Sequence, residues 1–422
     1  MNLVSHQKGV KPLFAETIDG IMALPQTQVG RGVLTAPRPE FPEGSGAVRT
    51  PRPTFRQGFK VCLSFSSQAG RLCTSLSSFL ISKRRVKPKL LVIELWGMGD
   101  LVIATPFLDA ASEKYDVTLL AKPYAHDLQA RFWPNIKVVS FVAPWTAFEH
   151  KYYLFAWPGL KMFRVWRQLR AEKFDFGLSA RWYGSARSAG DPRDHLLLWL
   201  CGVKTRLGFP RFGSQIILSK PVKPPEPIAH RYENWRVMGQ ALGLNLPPRN
   251  KLRLPHVRSD GEILVHTGAG QPVRVWPMER YRRIVNRLRS KNFRVQVACD
   301  PDQERWWRAT GESSVLVPRT VAELNQLLEK AGAFIGNDSG PGHLAAFCGV
   351  PTITIFGPQL PEWFAPLHPE SEWLAGKACP YKPCSDYCRF PAPYCIVNSE
   401  EEEVAKRVEA FVAKTLAEPA LK

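Results

Sequence analysis

The chain has 422 residues, enough for two domains, and its 45% hydrophobic and 22% charged residues are typical of a globular protein. No apolar run reaches about 18 residues, and charged residues interrupt the first twenty positions, which argues against a membrane-spanning helix and a secretory signal. The formal net charge of +20 leaves nucleic acid, an anionic membrane surface and a phosphorylated substrate open as partners.

The first 87 residues are predicted to be a disordered, basic and proline-rich segment. Residues 1–90 hold 14 of the 57 Lys and Arg residues but 4 of the 37 Asp and Glu residues, so half of the net charge lies there. Residues 61–82 are mildly apolar, and a basic run follows at 83–89. The apolar segment and the basic run after it have two interpretations: together they form a weak helix on an anionic membrane surface, or they are a plain linker.

An alternating series of strands and helices begins at residue 90 and predicts a parallel sheet with right-handed crossovers. A glycine-containing turn, residues 96–100, follows the first strand, and the proline-rich run 245–255 predicts an interdomain linker. The predicted strands are 90–95, 117–120, 137–141 and 176–178, and the predicted helices include 101–113, 160–172, 194–200 and 231–242.

The same pattern resumes after the linker, which predicts two Rossmann-like domains, residues 88–255 and residues 256–422. Ligands would bind in the cleft between them, at the carboxyl ends of the strands. The predicted elements of the second domain are strands at 263–266, 294–298, 333–335 and 352–356, and helices at 278–288, 321–331 and 344–347, with a terminal helix from about residue 400.

The stretch AGAFIGNDSGPGHLAAFCGVPTITIFGP, residues 331–358, predicts a strand, a glycine-rich turn, a short helix and a strand. Because the turn opens a helix, several backbone N–H groups are left unpaired at the positive end of the helix dipole, where a phosphate or diphosphate can bind. The alternative is an ordinary turn between strand and helix, in which Asp338 and Ser339 only cap the helix.

Three stretches together resemble the glycosyltransferase family 9 heptosyltransferases. The first is LLVIELWGMGDLVIATPFLDAA (90–111), similar to the first strand, glycine-aspartate turn and "TP" helix of that family. The second is LVHTGAGQPVRVWPMERYRRIV (264–285), and the third is the 331–358 stretch with its Asn-Asp-Ser-Gly-Pro-x-His block. The resemblance covers roughly residues 90–411, and three ordered motifs are more specific than any one of them.

The resemblance implies a GT-B fold of two facing Rossmann-like domains and an inverting, metal-independent glycosyl transfer that requires no cofactor. The donor would be ADP-heptose, bound mainly by the second domain, and the acceptor a lipopolysaccharide inner core, bound mainly by the first. Asp100 matches the family's catalytic base, and the alternative for it is a helix cap needed for folding. Glu94, where relatives carry Arg or Lys, and Trp96 depart from the family pattern.

The resemblance also implies which residues contact the two substrates. His343 and Arg274 would contact phosphate oxygens, Asp338 the donor sugar, and Glu279 would orient the nucleotide, whereas ordinary surface or packing roles are the alternatives. Apart from the resemblance, the first domain is rich in arginine, and Arg181 and Arg193 are the candidates from this set for binding an anionic acceptor. The predicted donor-binding residues are Thr267, Gly268, Ala269, Gly270, Arg274, Glu279, Asp338, Ser339, Gly340 and His343.

Nine cysteines, five of them scattered, argue for a reducing compartment and against a disulfide framework. The other four, Cys379, Cys384, Cys388 and Cys395, form a cluster that could bind zinc or an iron–sulfur cluster, although its spacing does not match the common paired Cys-x2-Cys pattern. A structural metal site and free thiols are both open for this cluster, and no catalytic metal is expected.

The expected partners are a nucleotide-sugar donor and an anionic glycolipid acceptor, with no nucleic acid. The expected location is cytoplasmic, with peripheral contact at the inner membrane face as a further possibility. Three alternatives remain open: a related glycosyltransferase with another donor and acceptor, an inactive sugar-nucleotide-binding protein, and a basic nucleic-acid-binding protein. No recognised nucleic-acid-binding motif supports the last.

Overall fold

The structure is a computed structural model that describes residues 87–146, 157–182, 190–211, 213–252, 254, 261–384 and 388–417. All of them belong to one compact unit, Leu80–Lys422. The predicted disordered segment lies outside the described residues apart from Lys87, and so does the predicted domain boundary between residues 255 and 256.

Six parallel strands form the first sheet. They are β1 (Lys89–Glu94), β2 (Asp116–Ala121), β3 (Lys137–Ser140), β4 (Phe176–Ser179), β5 (Thr205–Gly208) and β6 (Lys220–Pro221), in the spatial order β3-β2-β1-β4-β5-β6. β1 lies inside the sheet, and its run of apolar residues is buried because helices cover both faces of a parallel sheet. The helices of this half are α1 (Met98–Ile103), α2 (Thr105–Lys114), α3 (Ala125–Phe132), α4 (Gly159–Ala171), α5 (Pro192–Leu200) and α6 (Arg231–Ala241).

Five parallel strands form the second sheet. They are β7 (Glu262–His266), β8 (Val295–Ala298), β9 (Ala331–Asn337), β10 (Thr352–Phe356) and β11 (Glu372–Ala375), in the spatial order β11-β10-β9-β7-β8. β9 is central and fully buried. The helices of this half are α7 (Met278–Ser290), α8 (Glu304–Ala309), α9 (Val321–Leu328), α10 (Gly340–Phe347), α11 (Pro361–Phe364), α12 (Tyr394–Val397) and α13 (Glu401–Ala417). None of the helices in the described part of the chain has the length and apolar character needed to cross a membrane.

The predicted α/β class with two parallel sheets is confirmed, and the structure differs from prediction at the first helix. That helix begins at Met98, three residues early, and breaks at Ala104 into α1 and α2. Pro106 explains the break, since proline has no N–H for an i to i−4 hydrogen bond and occupies the first turn of the new helix.

The two halves pack against each other through apolar and polar contacts. One hydrophobic core cluster contains side chains from both sheets and from the helices between them. Phe132 of α3 meets Phe347 of α10 edge to face, with ring centroids 5.2 Å apart. Asp127 accepts hydrogen bonds from the first backbone N–H groups of α9, and Arg131 forms a 2.8 Å ion pair with Glu329. The contacts hold the carboxyl ends of β1 and β9 opposite each other.

Candidate active site

A cavity of 610 Å³ lies where β1 and β9 end, and both halves of the molecule line it. α1 starts directly after β1, α10 starts directly after β9, and the two helices are in contact. A Cβ atom on Gly340 would lie 2.5 Å from Cε of Met98, so the two glycine turns touch. Nine predicted site residues line this cavity: Asp100, Arg181, Arg193, Gly270, Arg274, Asp338, Ser339, Gly340 and His343.

Asp100 stands in the first turn of α1, with part of its side chain exposed to the cavity. One carboxylate oxygen, Oδ2, accepts the N–H of Gly97 at 3.1 Å, so the side chain also caps the helix start. The other oxygen, Oδ1, lies 3.7 Å from Nη1 of Arg181. Capping therefore occupies one oxygen, and the second is oriented by a cation at the cavity wall.

Arg181 is held between Asp100 and an aromatic ring. Its guanidinium carbon lies 3.8 Å from the centroid of the Trp96 ring, which is the contact of a cation with an aromatic face. The carbonyl of Trp96 accepts a hydrogen bond from the hydroxyl of Tyr124 at 2.9 Å, which fixes the position of the turn that carries Trp96. Trp96, which departs from the family pattern, therefore supports the arginine that pairs with Asp100.

Two buried carboxyls, Glu94 and Asp194, lie behind this group, and no sequence motif predicts a role for either. Burial, together with the charges of Asp100 and Asp194, raises the pKa of Glu94 to about 8. Burial and the charge of Asp191 raise the pKa of Asp194 to about 7, and the hydroxyl of Ser179 donates to Asp194 at 2.8 Å. Glu94 therefore carries a proton at neutral pH, although it lines the cavity. An acidic residue at the end of the apolar strand LLVIEL is the sequence signal that could have identified it.

Arg193, the second predicted acceptor-binding residue, lines the cavity from the start of α5. Its Nε and Nη2 donate to the two carboxylate oxygens of Asp191 at 2.9 and 2.7 Å. This pair holds the pKa of Asp191 below its usual value, against the opposing effect of burial. Arg193 is thus a preorganised but partly exposed cation.

The second half contributes a cation and the start of α10. Nη1 of Arg274 lies 3.6 Å from Oδ2 of the buried Asp338 carboxylate. Ser339 is the N-cap of α10 and makes no side-chain cap hydrogen bond, and Ser339, Gly340 and Pro341 line the cavity, so the positive end of the helix dipole lies at the cavity wall. An anion between Arg274 and the helix start would meet two sources of positive potential.

His343 is the fourth residue of α10, and its side chain packs against the glycine turn that follows β1. Burial lowers the pKa of His343 to about 4, an effect that the Arg274 charge reinforces and the Asp100 charge opposes. The imidazole is therefore neutral at pH 7. Its Nδ1 is buried and has no hydrogen-bond partner among the described residues, so this atom could bind a ligand in the cavity.

Four predicted donor-binding residues lie outside this cavity. The Thr267 hydroxyl donates to Gln303 at 2.9 Å, and a Cβ on Gly268 would meet the Asp300 carboxyl at 2.2 Å. Ala269 lines a neighbouring recess of 330 Å³, and Glu279 is half exposed and paired with Arg282 on α7. Their roles in nucleotide binding stay predictions.

Side chains distant in the sequence complete the lining of the cavity. The guanidinium carbon of Arg231 lies 4.5 Å from the Trp363 ring centroid and 5.6 Å from that of Trp182, so it is enclosed by aromatic rings. No sequence motif marks this cluster. The aromatic lining comprises Trp96, Tyr124, Trp145, Trp182, Trp235, Trp363 and Phe364.

The four clustered cysteines lie outside the cavity lining and are free, as are the three other described cysteines. Cys395 is buried, whereas Cys379, Cys384 and Cys388 are partly exposed. Over the described ranges, no group of three or more His, Cys, Asp or Glu side chains is arranged to hold a metal ion.

Two Rossmann-like halves whose sheets face each other across a cleft, at the carboxyl ends of their strands, define the GT-B class of protein. The family profile "Glycosyltransferase family 9 (heptosyltransferase)" matches residues 162–391, and the chain belongs to this family. The predicted family resemblance is therefore confirmed.

Individual relatives agree with this assignment. The chain is 28% identical over 156 residues to lipopolysaccharide heptosyltransferase 1 of Pseudomonas aeruginosa, which is 32% of this chain and 44% of that protein. It is 28% identical over 107 residues to lipopolysaccharide heptosyltransferase 3 of Escherichia coli, which is 23% of this chain and 31% of that protein. These alignments span less than half the length of either relative.

Solved structures support the fold over a greater length. The heptosyltransferase WaaC of E. coli with ADP superimposes with a TM-score of 0.57 at 16% identity, over 78% of this chain and 99% of that one. A glycosyltransferase family 9 protein from Veillonella parvula gives a TM-score of 0.59 at 16% identity, over 78% and 98% of the two chains. The predicted GT-B fold is confirmed.

Proposed function

We propose that the chain is an inverting, metal-independent glycosyltransferase that moves heptose from an ADP-heptose-type donor to a lipopolysaccharide inner-core-type acceptor. The proposed reaction type rests on one observation: Asp100 lines the same cavity as Arg274 and the start of α10. The proposed location is the cytoplasmic face of the inner membrane.

The family and the relatives support the choice of sugar and nucleotide. The curated relatives are lipopolysaccharide heptosyltransferases, and structural neighbours of the same fold are described with ADP or with ADP-2-deoxy-2-fluoro heptose. A related transfer with another nucleotide sugar is the alternative, which a screen of purified protein against a panel of nucleotide sugars would separate.

In the proposed reaction, the second half binds the donor and the first half binds the acceptor. The carboxylate of Asp100 removes the proton from an acceptor hydroxyl, and that oxygen bonds to the anomeric carbon from the face opposite the leaving group. The bond between the anomeric carbon and the diphosphate oxygen breaks as the new bond forms. The anomeric configuration is therefore inverted, and the products are ADP, the extended acceptor and a proton on Asp100.

The charge of the leaving diphosphate needs compensation in the transition state. Arg274 and the N–H groups at the start of α10 supply it, and His343 would add a neutral hydrogen-bonding group. These groups support a reaction without a catalytic metal. Unchanged turnover in the presence of EDTA is the expected result, and loss of turnover that Mg²⁺ restores would contradict this part of the proposal.

The Asp100→Asn substitution tests the proposed base. Asparagine still accepts the N–H of Gly97 and so keeps the helix cap, but it cannot take a proton, so we expect a loss of turnover of about 100-fold or more. ADP affinity, measured by calorimetry, should stay near that of the unsubstituted protein. Asp116→Asn, an exposed aspartate at the start of β2, is the matched control. Unchanged turnover of Asp100→Asn would contradict the assignment.

A further inference from the structure

The outer face of α4 combines apolar and basic side chains. Its inner face, with Val165 and Leu169, packs on the first sheet in one hydrophobic cluster. On the outer face Leu160 is 78% exposed and Phe163 is 53% exposed. By helical spacing Arg164 and Arg167 project on this same side. The helix has no acidic residue, and its basic residues are Lys161, Arg164, Arg167 and Arg170.

α5 extends this exposed apolar face. Leu196, Trp199 and Leu200 are three and four positions apart, so they share one side of the helix, and all three are exposed. Trp166 Nε1 and Arg170 Nη1, both of α4, donate to the carbonyl of Leu200 at 2.9 and 2.6 Å. The two exposed faces are therefore adjacent. We call Leu160, Phe163, Leu196, Trp199 and Leu200, with Lys161, Arg164 and Arg167, the α4–α5 surface.

We propose that the α4–α5 surface docks on an anionic phospholipid bilayer, with its aromatic and leucine side chains in the headgroup region. Exposed Trp, Phe and Leu mixed with Lys and Arg is the composition of helices that lie in a membrane interface. The basic side chains complement anionic lipid headgroups. A second copy of the chain fits this surface poorly, because a symmetric dimer would bring the same basic residues of both copies together.

The position of the surface relative to the cavity fits this partner. α5 begins at the cavity wall with Arg193, and its exposed residues lie in its second half. A helix of this length spans about 13 Å, so the acceptor half of the cavity lies about one helix length from the docked face. A sugar acceptor attached to a lipid could then enter the cavity while its lipid stays in the bilayer. This step of the inference rests on the proposed function.

The surface is distinct from the one that the sequence suggested. The weak membrane-surface helix considered at 61–82, with its basic run at 83–89, lies outside the described residues except for the last three positions. The sequence alone does not predict the α4–α5 surface, because α4 has the apolar inner face of an ordinary amphipathic helix. Only the exposure of its other apolar residues in the structure shows that they lie on the outer face.

Vesicle binding of the full chain tests the proposal. Purified protein is floated with vesicles of phosphatidylcholine alone, and with vesicles of phosphatidylcholine and phosphatidylglycerol in equal parts. We expect binding to the anionic vesicles and at least about tenfold weaker binding of two double variants, Phe163→Asp with Trp199→Asp, and Arg164→Glu with Arg167→Glu. All four positions are exposed, so the fold should persist, which circular dichroism checks.

Matched controls lie in the second half of the molecule. Trp373→Asp changes an exposed tryptophan of β11, and Arg305→Glu reverses an exposed charge of α8; both should bind anionic vesicles like the unsubstituted chain. Phe163→Trp with Trp199→Phe should keep binding, since aromatic character is retained. All these proteins keep residues 1–87, so a loss in the double variants is a property of the α4–α5 surface.

Three results would overturn the proposal. They are no binding of the unsubstituted chain to anionic vesicles, equal binding by the double variants, and a dimer in light scattering that the Phe163→Asp, Trp199→Asp variant makes monomeric. Vesicle binding is read without donor or acceptor, so failure of the proposed transfer reaction leaves this measurement unaffected. Conversely, turnover on a soluble acceptor sugar would persist if membrane docking failed.

Discussion

The imidazole ring of His343 lies against the backbone of Gly99, so a Cβ on Gly99 would stand 2.5 Å from Cδ2 of the ring. Gly99 precedes the proposed base, Asp100, and His343 belongs to the helix whose start faces the same cavity. The turn after β1 and the turn after β9 therefore set each other's position. A change in either turn alters the distance between the proposed base and the proposed diphosphate site.

The Gly99→Ala substitution is the first prediction. The buried His343 ring cannot yield freely, so the added methyl group shifts one of the two turns. Misplacement of reacting groups by about 1 Å can cost about 100-fold in rate, and we expect a loss of at least about tenfold in kcat/KM with the fold retained. Steady-state kinetics and circular dichroism measure the two effects.

The control for Gly99→Ala is Gly159→Ala at the start of α4. A Cβ there meets no atom within 4 Å, so this variant should keep normal kinetics. If Gly99→Ala turned over like the unsubstituted chain, the close contact between the two turns would have no role in positioning Asp100.

Arg274 is the subject of the second prediction. Arg274→Ala should weaken ADP binding about 10- to 100-fold, since a hydrogen bond to a charged group contributes about 1.5–3 kcal/mol and about 1.4 kcal/mol corresponds to a factor of ten. The substitution also removes the cation 3.6 Å from the buried Asp338 carboxylate, so a lower Tm is expected as well. Calorimetric titration with ADP measures the affinity.

Arg282→Ala provides the comparison for this titration, because Arg282 is an arginine of α7 paired with Glu279 outside the cavity. Its ADP affinity should stay normal. Equal affinities of Arg274→Ala and the unsubstituted protein would show that Arg274 is a structural partner of Asp338 and does not contact the diphosphate.

Glu279 gives the third prediction, because sequence and structure suggest different roles for it. The resemblance implies that it orients the nucleotide, whereas its side chain is half exposed, forms a 3.0 Å pair with Arg282 and does not line the cavity. An exposed ion pair contributes about 0–1 kcal/mol, so Glu279→Ala should change both stability and ADP affinity little. A tenfold loss of ADP affinity would instead support the nucleotide-orienting role.

The sequence predicted the elements that depend on local patterns. Apolar runs such as LLVIEL and TITIF became buried central strands, because residues of a parallel strand are covered on both faces. The glycine turns after β1 and β9 were recognisable because their residues must open helices next to a strand end. From these turns, Asp100 and His343 could both be assigned to one cleft.

Contacts between distant residues could not be predicted in this way. The stacking of Arg181 on Trp96, and the enclosure of Arg231 by Trp182 and Trp363, join segments that carry no shared motif. Their meeting depends on how the loops and the two halves pack. The protonation of Glu94 is a similar case, because it follows from burial and from the charges of its neighbours in space.

The fourth prediction concerns stability and pH, and its subject is Glu94. Burial and neighbouring charges raise the pKa of Glu94 from 4.5 to about 8 in the folded chain. The folded state therefore binds a proton that the unfolded state releases between these two values. The contribution of Glu94 to stability is complete below pH 4.5 and is lost as the pH rises towards 8.

Glu94→Gln should remove this loss, since glutamine stays uncharged. One pKa unit corresponds to about 1.4 kcal/mol, so at pH 7 to 8, about 2.5 to 3.5 units above the ordinary pKa, the variant should exceed the unsubstituted chain by about 3–4 kcal/mol in free energy of unfolding. The difference should disappear near pH 4.5. The other charged groups that act on Glu94 are Asp100, Asp194 and Arg181, which both proteins retain.

Urea unfolding at pH 5 and pH 8 measures the effect, with Glu226→Gln, an exposed glutamate before α6, as the control that should show no pH-dependent gain. Asp194, whose pKa is also raised, lowers stability over the same pH range in both proteins and therefore cancels in the comparison to first order. If Glu94→Gln were less stable than the unsubstituted chain at pH 8, Glu94 would be stabilised as a carboxylate by Arg181 and the backbone N–H of Trp96, which act in that direction.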